Sequence, residues 1–161
     1  MDRWIGVDRC FGMEAALIEL SVPGELAYRD LAMRVVTTAC KLVRVERDDQ
    51  HLPLDEEFVF EAVSAVGEAF NNVAIHGYRP GAVGIVVLAM DTQQDGLVID
   101  VKDFGESFDP CDAPEPNLGE LPESGMGLFI IRAFVDEIHY ERGNPNCLRM
   151  VKRFGLGSRS S

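Results

Sequence analysis

Residues 83–103 constrain the fold more than any other part of the chain. The stretch 83–90, VGIVVLAM, is apolar almost without interruption, the pattern of an interior strand covered on both faces. Residues 92–96, TQQDG, read as a hairpin turn, and the LVIDVKD that follows alternates, so that Leu97, Ile99, Val101 and Asp103 share one face. Such a hairpin buries its side chains only if other elements pack against it.

The rest of the sequence supplies those elements. AALIELSV at 15–22 predicts a first strand, ended by Pro23 and Gly24. Over 25–45, Leu26, Leu31, Val35, Ala39 and Leu42 recur at three- to five-residue intervals and predict an amphipathic helix. The charged ERDDQHLPLDEE at 46–57 reads as a connector. A second helix is expected over 55–76, with Asp55 as its cap, Glu56 and Glu57 at the positive end of its dipole, and Gly77 as its stop. Leu128, Ile131, Val135 and Ile138 mark one face of a third helix. Short strands are expected near 137–142 and 147–154. The sum is an α/β, more narrowly α+β, two-layer sandwich with helices on one face of a mixed, mostly antiparallel sheet.

The 161 residues, 47% of them hydrophobic, suit one core. The expected organisation is an N-terminal segment at 1–14, a single domain over 15–154 and a Gly- and Ser-rich tail at 155–161. With 27 acids against 15 Lys and Arg, the formal charge of −12 argues against direct nucleic acid or anionic membrane as partners. Cys10, Cys40, Cys111 and Cys147 are scattered and read as reduced. Without a basic segment leading into a sustained apolar run, or a stretch of roughly 20 apolar residues, a soluble, cytoplasmic protein is expected.

Three motifs carry chemistry. In EAFNNVAIHGY, Glu68, Asn72 and His76 fall at four-residue steps on one helical stripe. A carboxylate there can orient a nucleophile, and a carboxamide one turn away can give Mg²⁺ an oxygen ligand; spacing leaves Asn71 open as the working amide. In DFGES, strand phase aims the Asp103 carboxylate toward the buried side, where an ionised group needs a donor. The exocyclic amine of adenine is such a donor, and Gly105 lets backbone approach a ring. In SGMGLFII, Gly125 and Gly127 lead into a helix whose N-terminus can face an anion. Between the last two motifs, residues 104–124 hold four prolines and six acids with no Lys or Arg, an irregular loop of the length that is often functional.

In this order the motifs resemble the N, G1 and G2 boxes of the GHKL-type ATPase module of histidine kinases, DNA gyrase and the MutL mismatch-repair proteins. Within that group EAFNNVAIHGY, VKDFGESFDP and GMGLFIIRAFVDEI look most like the anti-sigma-factor serine/threonine kinases of the RsbW and SpoIIAB type, over most of the chain. The resemblance implies a Bergerat-type ATP-binding fold that takes ATP or ADP with Mg²⁺. It implies Glu68 as general base, Asn72 as Mg²⁺ ligand, Asp103 as reader of adenine, and Gly105, Gly125, Met126, Gly127 and Leu128 as further nucleotide contacts, with 104–124 as a lid. The implied partners are an RNA polymerase sigma factor, a STAS-type anti-anti-sigma protein as phosphoryl acceptor, and a second copy in a homodimer.

Two positions depart from the family pattern. Ser107 stands where a second glycine is common, and GNPNCLRMVK lacks a Thr common near the last strand, with Asn146 or Cys147 in its place. Lys102, Arg79 and Arg132 are the local cations available to the site. A serine/threonine kinase that sequesters a sigma factor is the main reading. A nucleotide-responsive binding module with little catalysis is the alternative, and a histidine kinase fragment using His51 is a third.

Overall fold

The computed structural model describes residues 18–106 and 126–155. Seven strands and three α-helices follow in the order β1 (Ile18–Pro23), α1 (Arg29–Leu42), β2 (Arg44–Arg47), β3 (Gln50–Pro53), α2 (Glu56–Asn72), β4 (Ile85–Gln93), β5 (Gly96–Asp103), α3 (Met126–Phe134), β6 (Glu137–Glu141) and β7 (Asn146–Arg153). Five strands form one sheet in the order β1-β4-β5-β7-β6. All four of its described pairings are antiparallel, in keeping with the mostly antiparallel sheet expected.

The central hairpin is as its pattern predicts. β4 and β5 pair from Val86 opposite Asp103 to Gln93 opposite Gly96, which confines the turn to two residues. Val86, Leu88, Met90, Leu97, Ile99, Val101, Leu148 and Met150 turn one face of the sheet to the core that α1 and α2 cover. The alternate residues Val87, Ala89, Val98 and Val151 are buried as well, in keeping with strands enclosed on both faces.

The first helix differs in phase from expectation. Its buried face is Ala32, Met33, Val36, Ala39 and Cys40, while Leu26, Leu31 and Leu42 are exposed. Steps of three and four residues keep small side chains against the sheet, whereas the five-residue step from Leu26 to Leu31 rotates out of the stripe. The helix starts after a 3₁₀ turn at Leu26–Tyr28 and ends at Leu42 because buried Val43 turns extended (ψ 137°).

The expected connector is instead a hairpin, β2 with β3, turned by Asp48 and Asp49 at φ 48° and 60°. Aspartate tolerates this left-handed region, and two such residues make the turn that fits strand twist. Nearly all of its side chains are exposed, so no apolar alternation announces it.

Helix α2 is capped as predicted, the Asp55 carboxylate accepting the Phe58 N–H at 2.7 Å. By length and composition the run Glu56–Gly77 could also cross a bilayer. Here Phe58, Ala62, Ala65, Val66, Ala69 and Phe70 place it in the core. It passes into one π turn, Val73–Gly77, before Tyr78 turns extended. Helix α3 stops at Phe134, short of the expected span, and Ile138 belongs to β6. The Phe134 carbonyl at its end accepts from Lys152 Nζ at 2.8 Å, and the same ammonium pairs with Glu61 of α2.

Candidate functional site

A cleft lies where the end of α2 meets the ends of β5 and β7. Ala69, Asn72, Val73 and Gly77 line it from the helix, Val101 and Asp103 from β5, Leu148 from β7 and Tyr140 from β6, with Glu106 at its rim. Its lining is mostly apolar with a few polar groups, among them Asn72 and Asp103, the usual layout for a small ligand with an aromatic part.

Asp103 is buried at the end of β5. Its Oδ1 accepts the Gly105 N–H at 2.9 Å and the Asn146 side-chain amide at 3.1 Å. Burial pushes its carboxyl above the ordinary range, and these two donated bonds pull it partway back. Both donors reach Oδ1, so among the described residues Oδ2 has none.

Close approach constrains two glycines here, Gly105 against backbone and Gly127 against side chains of α2. A Cβ on Gly105 would lie 1.8 Å from the Gly77 carbonyl oxygen, so the DFG turn presses directly on the end of the π turn, and the Glu106 N–H donates to that same carbonyl at 2.8 Å. π turns often mark functional sites; this one delivers Gly77 to the cleft floor. A Cβ on Gly127 would lie 2.9 Å from Glu68 Oε2 and 3.6 Å from Asn72 Oδ1. The first turn of α3 therefore sits against the carboxylate and carboxamide of α2, close enough that a larger residue would displace one of them.

The fold thus brings Glu68, Asn72, Asp103, Gly105 and Gly127 together from three distant segments. Asn72 lines the cleft and Asn71 does not. Neither Met126 nor Leu128 is among the lining residues, and Leu128 packs against the core. Gly125, Ser107 and all but the first three residues of the expected lid, 104–124, lie outside the described residues. His76 leaves the stripe because the π turn changes the helical phase, and it is exposed. His51 lies on exposed β3.

Of the three candidate cations, Lys102 is buried on the opposite face of the sheet, as alternation from Asp103 requires. Arg79 pairs with Glu106 at 2.9 Å beside the cleft mouth, and Arg132 is half-buried on α3.

Sequence reasoning missed Tyr78 and Tyr140. The Tyr78 hydroxyl donates to the Ile85 carbonyl at 2.8 Å and accepts the Phe104 N–H at 3.0 Å, tying β4 to the DFG turn. Its ring lies where a Cβ on Gly84 would be, 1.8 Å from the ring carbon Cζ, and burial followed by the nearby Asp103 charge raises its pKa against the donated bond from Phe104. Tyr140 shares the inward phase of Ile138 on β6, a signal that alternation over five residues carried weakly.

The profile of the histidine kinase-like ATPase domain matches residues 25–152. Serine-protein kinase RsbW of Staphylococcus aureus, in strains JH9 and Newman alike, is 28% identical over 145 residues, which cover 84% of this chain and 85% of the relative. Among solved structures, a blue-light activated histidine kinase of Erythrobacter litoralis superposes with a TM-score of 0.52 at 20% identity, over 78% of this chain. The chain spans 40% of that histidine kinase, and 59% of the isolated kinase domain from the same protein. The matched span contains every described residue that lines the cleft, and the chain belongs to the histidine kinase-like ATPase domain family.

Proposed function

We propose that the cleft binds ATP or ADP with Mg²⁺ and that the protein is an anti-sigma serine/threonine kinase. It would transfer a phosphoryl group to a STAS-type anti-anti-sigma protein and sequester a sigma factor, as a homodimer. The convergence of Glu68, Asn72 and Gly127 beside a cleft that Asn72 and Asp103 both line carries the reading. Similarity to an enzyme named as a serine-protein kinase supports the choice of acceptor.

The residues fit a magnesium-bound adenine nucleotide. Asp103 offers Oδ2 to an exocyclic amine, the slot walls are apolar, and Asn72 offers a carboxamide oxygen. No cluster of three or more His, Cys, Asp or Glu among the described residues can hold a metal alone. That suits Mg²⁺, which takes one or two protein oxygens plus phosphates and waters. When bound there, it would neutralise phosphate charge.

Glu68 would then orient the acceptor hydroxyl and take its proton as the oxygen bonds to the γ-phosphorus. The bond to the β-phosphate oxygen breaks, and its electron pair leaves with ADP. The start of α3 sits against Glu68 and Asn72, and its helix-end amides would favour the phosphates there.

Calorimetry with Mg·ATP and Mg·ADP, followed by labelled transfer to a panel of STAS proteins, tests this. Glu68→Gln is expected to retain nucleotide and reduce transfer by roughly 10²- to 10⁴-fold. Binding without transfer to any acceptor would leave a nucleotide-responsive binding module, and absence of binding by folded protein would end both readings.

A further inference from the structure

Asn146 is 1% exposed, and its amide is bonded through both its nitrogen and its oxygen. Its Nδ2 donates to Asp103 Oδ1 and to the Gly105 carbonyl, both at 3.1 Å, while its Oδ1 accepts the Gly143 N–H at 3.2 Å. The opposite amide orientation would set an oxygen against two acceptors and a donor against a donor, so the neighbours fix which way it faces. It stands directly across the β5–β7 ladder from Asp103, whereas Cys147 faces Lys102 on the other side of the sheet. Of the two residues that stand where a Thr is common, Asn146 is the one that reaches Asp103.

The exchange has a chemical consequence. A Thr hydroxyl rotates and can donate to a carboxylate or accept from a carboxylic acid, so it tolerates either state of its partner. The Asn146 amide, locked by Gly143 and Gly105, only donates toward Asp103. The Gly105 N–H reaching the same oxygen also only donates. Both reward an acceptor carboxylate, whose remaining oxygen, Oδ2, must then meet a donor.

Building on the nucleotide reading above, we propose that Asn146 is a positioning residue that fixes Asp103 as a hydrogen-bond acceptor and thereby sets base preference, for a purine with an amine at C6 (adenine) over one with oxygen there (hypoxanthine). The 6-oxo group would place an acceptor against Oδ2, and the slot walls from Gly77, Val101 and Leu148 restrict sliding of the base to present its N1–H instead. Other ionisable groups near Asp103 are the Tyr78 hydroxyl, bonded to backbone on both sides, Tyr140 of β6 in the cleft lining, and Glu106 at the rim, paired with Arg79. Asp100 and Lys102 face the far side of the sheet.

The test is the ratio of ADP to IDP affinity by calorimetry from pH 5.5 to 8, in the wild type, Asn146→Thr and Asn146→Leu. The wild type is expected to favour ADP by about tenfold to a hundredfold, the effect of one buried polar group left facing a like partner, across this range. Asn146→Leu removes a bond that opposes burial, so Asp103 protonates at higher pH and its new O–H can donate to a 6-oxo group. Its preference should fall to within about threefold at pH 5.5 and recover as pH rises. Asn146→Thr should lie between, and decides the matter if Asn146→Leu does not fold.

Equal weakening of ADP and IDP by the substitutions at every pH would make Asn146 merely structural and overturn the proposal. A wild-type ratio near one would overturn it while leaving nucleotide binding intact. Binding of neither nucleotide by the wild type would remove the nucleotide reading and this inference together.

Discussion

Strand β5 carries two buried aspartates three residues apart, on opposite faces of the same sheet, and each is met by the residue directly across from it on β7. Asp100 faces Arg149, which grips both carboxylate oxygens, Nε to Oδ1 and an Nη to Oδ2, each at 2.7 Å. Asp103 faces Asn146, and both of its donors, Asn146 and the Gly105 N–H, are neutral and converge on one oxygen. The first carboxylate is closed by a full opposite charge. The second is held but left with a free acceptor at the edge of a cleft. Burial alone does not distinguish them; what marks a binding carboxylate is neutral support with an oxygen to spare, and what marks a structural one is a cation that saturates it.

The largest effect that separates the two is on stability. Arg149→Leu leaves the Asp100 charge buried without its cation and is expected to cost about 3–5 kcal/mol of unfolding free energy in urea denaturation. Folded Arg149→Leu should nevertheless bind ADP as the wild type does, because the ion pair lies on the far face. Replacing both partners, Asp100→Leu with Arg149→Leu, should recover most of the loss, since two apolar groups need no pairing. A double variant as unstable as the single one would show that Arg149 matters for its other contacts rather than for Asp100.

The same contrast explains what could be read before the structure. Alternation in LVIDVKD fixed the phase of β5, so the side to which Asp103 points was legible, and so was the displacement of Lys102 from the site. The N, G1 and G2 motifs were legible as residue types in order. Partnering was not: nothing in the spacing distinguishes Arg149 from Asn146 as the neighbour of a given aspartate, because β5 and β7 are joined through a long segment that includes α3 and β6 rather than by a tight turn that would set their register. The π turn was also hidden, as VAIHG continues a helical pattern while its hydrogen bonding widens. Leu26, Leu31 and Leu42 misled the reading of α1, since large apolar residues drew the stripe away from the small buried Ala32 and Cys40, although Ala39 fell on it. The β2–β3 hairpin escaped for the opposite reason: its side chains face solvent and its signal lay only in a pair of aspartates.

The next effect in size is on binding. In Asp103→Asn the Asn146 amide and the Gly105 N–H still call for an oxygen, so the new amide should turn its NH₂ to the place of Oδ2. That converts an acceptor into a donor facing the base. ADP affinity is expected to fall by about tenfold to a hundredfold, with IDP losing less or gaining. Calorimetry on the two nucleotides reads both changes. Unaltered ADP affinity in a folded Asp103→Asn protein would show that Oδ2 does not meet the base, and would erase the functional half of the comparison.

The smallest effect is a pH dependence of stability without nucleotide, and its sign follows from the direction of the Asp103 shift. Burial raises the Asp103 carboxyl above its unfolded value, more than its two hydrogen bonds lower it. The folded chain therefore binds that proton more tightly than the unfolded chain, and the group favours folding fully only below the ordinary carboxylate range. As pH rises through its folded pKa that contribution is lost, so at neutral pH the ionised side chain is a burden on the fold. Asp103→Asn carries no such burden. In thermal unfolding it should be the more stable protein at pH 7, and the gap should close as the pH is lowered through the titration of Asp103. A variant less stable than the wild type at pH 7 would mean that the bonds from Gly105 and Asn146 outweigh burial, making Asp103, like Asp100, a residue that holds the sheet together.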